Sequence, residues 1–238
     1  MKKIFLLLLL TLFIKGNAQY NKSIFGKDPI INLENFQSQP IHFGFYLGTN
    51  LFDYKIDYKE PQKEIQTLKS TGFNVGIIGD LRLQEYIHLR FEPGLYYSKR
   101  ELVNPELTGT TFGASRELIG TFIHLPLLVK FSALRAGNVR PYLEGGFSGM
   151  LNLSSNQNAS DLSATEERLR LKQWTINYEL GVGIDIFTEY FIFSPSIRGV
   201  FGIGDELVHY DGPGGPGQFT DNIDSIKNRA ILLNFTFH

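Results

Sequence analysis

Between Phe122 and Phe147 the chain runs FIHLPLLVKFSALRAGNVRPYLEGGF, two alternating segments joined by a polar turn centred on Gly137 and Asn138. Ile123, Leu125, Leu127, Val129 and Phe131 make one apolar row, and His124, Pro126, Leu128 and Lys130 make a mixed row on the opposite face. After the turn, Leu143, Gly145 and Phe147 alternate with Tyr142, Glu144, Gly146 and Ser148, so the second strand runs antiparallel to the first. A soluble sheet turns its charged row to water. A small membrane barrel turns its apolar row to lipid and encloses the polar one.

The N-terminus favours export. Lys2 and Lys3 precede an apolar run from Ile4 to Ile14, and Gly16-Asn17-Ala18 forms a small-x-small cleavage site, so residues 1–18 read as a signal peptide. The run is shorter than the roughly 20 residues a spanning helix needs, and no later segment is longer. Losing Lys2, Lys3 and Lys15 moves the net charge from -1 to -4, which gives no electrostatic case for nucleic-acid binding. The sequence has no cysteine, which excludes disulfides, a thiol nucleophile and an N-terminal lipidated Cys. A soluble exported β protein and an outer-membrane barrel remain.

Residues 19–40 read as a polar N-terminal arm in the periplasm, and 41–238 as the barrel domain. Strands are expected at 42–50, 73–83, 87–98, from 122 across the hairpin to about 153, and at 175–187, 191–201 and 230–237. One helical turn is expected within 60–68, and a short helix after the capping box Ser163-Ala-Thr-Glu166. A three-residue turn after Leu83 places Arg82 opposite His88 and Asp80 opposite Arg90. A two-residue turn at Thr188-Glu189 places Glu179 opposite Arg198.

The connections between these eight strands alternate between long and short. That asymmetry predicts an all-β fold: an eight-stranded antiparallel up-and-down transmembrane β-barrel with short periplasmic turns and longer external loops. A soluble sandwich has no reason for such alternation. The barrel would lie in the outer membrane of a Gram-negative bacterium with its N-terminus in the periplasm, and membrane lipid would be its first partner.

The inward rows hold Asp80, Glu92, Glu144, Glu179 and Asp185 against Arg82, Arg90, Lys130 and Arg198, with His88 and His124 beside them. Charges in mid-strand are costly unless paired, and an eight-stranded interior is narrow enough to force pairing. A lumen plugged by salt bridges and tyrosines follows, with Glu179→Ala expected to strand Arg198. Aromatic girdles are expected from Phe43, Tyr86, Phe131, Phe187, Tyr190, Phe191 and Phe237 near the short turns, and from Phe52, Tyr54, Tyr97, Trp174 and Tyr178 near the loops. Pro93, Pro126, Pro141 and Pro195 each remove a ladder donor, so bulges or strand ends are expected to absorb them.

Three stretches, HFGFYLGTN at 42–50, YIHLRFEPGLYYSKRE at 86–101 and IHLPLLVKFSALRAGNVRPYLEGG at 123–146, go beyond generic alternation. Over the first two thirds of the mature chain they resemble the PorT family of outer-membrane proteins, associated with type IX secretion and gliding motility in Bacteroidetes-type bacteria. The resemblance implies a barrel that serves the assembly or operation of a secretion machine, with protein partners in that machine. It brings no catalytic motif.

The residues agree that this is not an enzyme and that no cofactor is bound. His88, His124 and Glu92 could be cast as a metal or hydrolase cluster, but lack a known ligand spacing and a Ser/His/acid set on one wall. Gly76-x-x-Gly79 and Gly212–Gly217 lack the helix and Lys of a phosphate loop, and Asp211 and Asp221 read as solvated loop acids before calcium ligands. The functional alternative is a small surface adhesin or binding barrel that uses loops 54–71, 99–118, 154–173 and 204–228.

Overall fold

Nearly every alternating run becomes a strand. In the computed structural model these are β1 (Ile41–Tyr58), β2 (Gln66–Lys69), β3 (Thr71–Arg82), β4 (Ile87–Phe91), β5 (Gly94–Val103), β6 (Ser115–Ser132), β7 (Val139–Asn152), β8 (Trp174–Phe187), β9 (Ile192–Gly202) and β10 (Ile223–Phe237). The structure describes residues 31–60, 66–103, 115–155, 170–208 and 222–238, without the side chains of 37–38 and 115–118. The signal peptide, most of the arm, the capping box, Asp211, Asp221 and Gly212–Gly217 lie outside the described residues.

All pairings are antiparallel, in the order β1-β10-β9-β8-β7-β6-β4-β3, and β1 pairs with β3 to close the ring. β5 continues β4 beyond Glu92-Pro93, so the ring has eight staves, and β2 only extends it beside β5. Closure leaves this ring without a sheet edge.

The alternation is inverted, as a membrane barrel requires. Phe43, Ile77 and Phe147 on the outer face are 77%, 65% and 64% exposed, while Arg90 and Arg198 inside are 1% exposed. Tyr86, Phe131, Tyr190 and Phe191 are exposed near the short turns, and Trp174 and Tyr178 near the long loops. Phe52, Tyr54 and Phe187 correct the expected girdles. All three fall on the inward row and are buried, because the same parity that exposes Leu51 and Ile184 turns them into the lumen.

The β6–β7 connection, 133–138, closes on a two-residue turn, Gly137-Asn138, across which Ala136 and Val139 exchange backbone hydrogen bonds (2.9 and 3.2 Å). Gly137 alone takes positive φ (62°), as a II′ turn demands at its first central position. The β3–β4 pairing places Asp80 opposite Arg90 and Arg82 opposite His88, as expected. The β8–β9 register differs by two residues: Gly181 faces Arg198 and Glu179 faces Val200. The turn there has four residues, Thr188–Phe191, and Phe187 pairs with Ile192.

The prolines cause no register shift. Pro93 interrupts one stave, yet its pairings with β3 and β6 keep the same register on both sides of the gap. The β8–β9 ladder likewise skips the Ile184–Pro195 and Asp185–Ser194 steps and resumes in place. Glu92 N–H donates to Pro126 O (3.3 Å), and the return donor that Pro126 lacks is replaced by the Tyr46 hydroxyl, which donates to Glu92 O (3.2 Å).

At the long-loop end the wall is taller than the sequence pattern implies. β1 runs on to Tyr58, β5 to Val103, and β6 and β10 begin at Ser115 and Ile223. The outward row of β1 turns polar after Leu51, with Asp53, Lys55 and Asp57, so the upper parts of these strands stand above the apolar belt. Gln66–Leu68, part of the expected helical turn, form β2, and Leu171, part of the expected short helix, bridges to Leu207.

Candidate functional site

The lumen is stratified. Nearest the short turns lies an ionic layer carried by the inward rows of β3, β4, β6, β7, β8 and β9. Lys130 Nζ donates to both oxygens of Asp185 (2.8 Å each), and Arg140 reaches Oδ2 of the same carboxylate (3.1 Å). Ser194 completes the group by donating to Asp185 Oδ1 at 2.8 Å.

A second chain of ions crosses the barrel. Arg90 joins Asp80 (3.0 Å), Glu92 (3.2 Å) and Glu144 (3.6 Å). Arg198 joins Glu92 (2.7 Å), Glu144 (2.8 Å) and Glu179 (3.4 Å). His88 and His124 end the chain, each 2.6 Å from a carboxylate oxygen of Asp80 and Glu179 respectively. All of these side chains are buried, so each charge depends on its partners in place of water.

Nine of the ten expected luminal residues thus come together, and Arg82 does not. It is half-buried at the rim and joins no ion pair among the described residues. Arg140 takes a place the sequence reading missed. Its even number puts it on the inward row with Tyr142 and Glu144, but Pro141 and the nearby turn hid the start of β7. Glu179 does not face Arg198 directly, and Arg198 keeps two other carboxylates, so loss of Glu179 would strand His124 instead. His88 and His124 bind different acids, and no joint cluster with Glu92 forms.

Above the ions lies an apolar layer that the sequence reading did not foresee. Tyr46, Phe52, Tyr96, Phe122, Met150 and Leu232 pack together, and Tyr54, Leu102, Leu171, Leu207, Ile223 and Ile226 form a second cluster toward the loops. Arg100 passes between them with its guanidinium carbon 4.0 Å from the Tyr54 ring centroid. The inward glycines make room: a Cβ on Gly94 would overlap the Tyr46 hydroxyl, and one on Gly183 the Tyr142 ring. Charge below and hydrocarbon above fill the described lumen with buried side chains.

The short-turn mouth is covered by the segment before β1. Its 3-10 turn, Asn35–Ser38, packs Phe36 against His42 with the rings tilted (4.6 Å between centroids), while Asn32 bonds to Asn138 and to Phe187 O (3.0 and 3.1 Å). His238 pairs by backbone with Ile192, and its Nε2 lies 3.4 Å from Arg90 Nη2.

No curated protein matches the sequence significantly. Solved structures do: OprG from Pseudomonas aeruginosa at 12% identity and TM-score 0.46, covering 83% of this chain and 93% of that one. Neisserial surface protein A matches at 12% identity and TM-score 0.43, over 83% of this chain and 98% of that one. AlkL in lipid bilayers matches at 11% identity and TM-score 0.40, over 91% and 95%. The family model described as outer membrane protein beta-barrel domain (OMP_b-brl_2) matches residues 17–208, and the chain belongs to that family of outer-membrane barrels.

Proposed function

We propose that this outer-membrane barrel is a non-catalytic component that supports the assembly or operation of a type IX protein secretion system. The observation that carries the reading is the filled lumen. With Arg198 tied to three carboxylates and Phe52 and Phe122 packed above them, the barrel is no conduit, and its work falls to its rims. The resemblance of residues 42–50, 86–101 and 123–146 to the PorT family supports the choice of machine. In this reading the short turns and the N-terminal segment face the periplasm, and protein partners dock there or on the raised rim. Deleting the gene should leave secreted cargo in the periplasm, and restoring the wild-type gene should clear it. Unchanged cargo export in the deletion strain would refute the assignment.

A surface-binding barrel is the second reading, and one feature favours it. Above the belt a cleft of about 330 Å3 opens between β1 and β2, lined by Asp53, Tyr54, Lys55, Thr67, Lys69 and Arg229 among others. Substituting Lys55, Lys69 and Arg229 together should then abolish surface binding while cargo export continues.

A further inference from the structure

The upper wall is not charged evenly around the ring. On β1 the outward row passes from Phe45, Leu47 and Leu51 to Asp53, Lys55 and Asp57, and on the paired β10 it passes from Leu233 and Ile231 to Arg229 and Lys227. At the long-loop end of β7, β8 and β9 the exposed outward residues are Leu153, Trp174 and Phe201.

The first charged pair, Asp53 with Arg229, follows the last apolar pair, Leu51 with Ile231, by two residues. Two residues span about 7 Å along a strand, and less in height once strand tilt is counted. The headgroup layer on each side of a bilayer is roughly 5–8 Å deep, so these side chains stand among headgroups and not in open water.

β1 gives up β3 at the Leu51–Thr71 pair, and β2 pairs with β5, so the wall opens between β1 and β2. The cleft of about 330 Å3 at that opening has Asp53, Lys55 and Arg229 along β1 and β10, with Thr67 and Lys69 across from them on β2. Asp53 Oδ2 holds Arg229 Nη2 at 2.7 Å and Lys69 Nζ at 2.9 Å, so one carboxylate pins two cations side by side. Lys55 touches Asp57 loosely at 3.6 Å, and Lys227 stands opposite Lys55. Up to the Asp57–Ser225 step, four cations thus meet two carboxylates, and Lys55, Lys69 and Arg229 each keep half or more of the side chain exposed.

We propose that this cleft binds the phosphate of an anionic lipid headgroup in the leaflet at the long-loop end, held by Lys55, Lys69 and Arg229. Excess positive charge at headgroup depth complements phosphate, whose oxygens accept from the arginine fork and from the two ammonium groups. The Thr67 hydroxyl offers a further donor on the far side of the cleft. A bound headgroup would join β1 to β2 where no ladder does among the described residues. The inference goes beyond both readings of the protein's role and depends on neither.

Native mass spectrometry of detergent-folded protein, titrated with dioleoyl phosphatidic acid or dioleoyl phosphatidylcholine, tests this through the first lipid adduct. A cation near a membrane surface is worth a factor of about 5, so wild type should bind phosphatidic acid at least about 5-fold more tightly than phosphatidylcholine. The preference should fall below about 2-fold in Lys55→Gln/Lys69→Gln/Arg229→Gln and by about half in Lys55→Gln alone, which leaves the Asp53 pairs intact. Lys172→Gln, outside the cleft, should keep it. The proposal is overturned if folded, heat-modifiable wild type shows no preference, if the folded triple variant retains it, or if inorganic phosphate binds as tightly as phosphatidic acid. A triple variant that loses surface adhesion yet keeps the lipid preference would likewise overturn it and give the cleft to an external ligand. Cargo export is untouched by any of these results, so failure here leaves the role in secretion standing.

Discussion

The Tyr46 hydroxyl donates to the Glu92 main-chain carbonyl at 3.2 Å, in the place where Pro126 leaves the β-ladder one donor short. A lumen side chain thereby completes the wall. Tyr46→Phe keeps the ring and leaves that carbonyl unpaired, at an expected cost of about 1–3 kcal/mol. Urea unfolding from lipid vesicles, followed by heat-modifiable gel migration, measures it. A midpoint equal to that of wild type would show the hydroxyl to be dispensable.

Arg198 should be the most sensitive single ion in the lumen, because it serves Glu92, Glu144 and Glu179 together. Arg198→Met removes the cation that Glu179 shares with the other two and should cost at least the roughly 3–5 kcal/mol of a broken buried pair. Arg82→Met, at the half-buried rim, should change stability by less than about 0.5 kcal/mol. Equal losses for the two would contradict the ion pairs described.

Ile77 lies outside, across from Phe45 on β1, and is 65% exposed. Ile77→Arg should destabilise the folded barrel by about 2–4 kcal/mol in bilayers. Lys55→Ala, on the polar upper part of β1, should stay near neutral. Refolding yield into vesicles of defined thickness reports both, and tolerance of Arg at 77 would move the lipid belt elsewhere.

Glu206 lies outside the spanning strands, beneath the loops, where burial pushes its carboxyl from an ordinary value near 4.5 up to about 7, against the pull of Arg100. The folded state therefore holds a proton between those values that the unfolded chain releases, and stability of the loop end falls as pH rises through that window. The full effect is on the order of 3 kcal/mol. Hydrogen exchange of the Lys172 and Glu206 amides, which bond to Glu206 O and Ile226 O, should be better protected at pH 5 than at pH 8 after correction for intrinsic rates. Glu206→Gln should flatten the difference.

The period of two in residues such as Ile123 to Phe131 and Ile176 to Asp185 determined the sheet, its two faces and the ionic character of the lumen, because side-chain direction in a strand is strictly local. The Asp80–Arg90 contact was legible for the same reason, as a short turn fixes the register of its own hairpin. Partners on non-adjacent staves were not. Lys130 with Asp185 and His124 with Glu179 meet past the one stave between them, and Arg198 reaches Glu92 across the bore, at distances set by ring closure and strand stagger. The apolar upper plug was hidden because aromatics such as Phe52, Tyr54 and Phe122 look alike in sequence whether they face lipid or lumen. Alternation alone thus decided what each wall is made of. Only the closed ring, which turns eight separate inner rows into one shared interior, decided which charges neutralise one another.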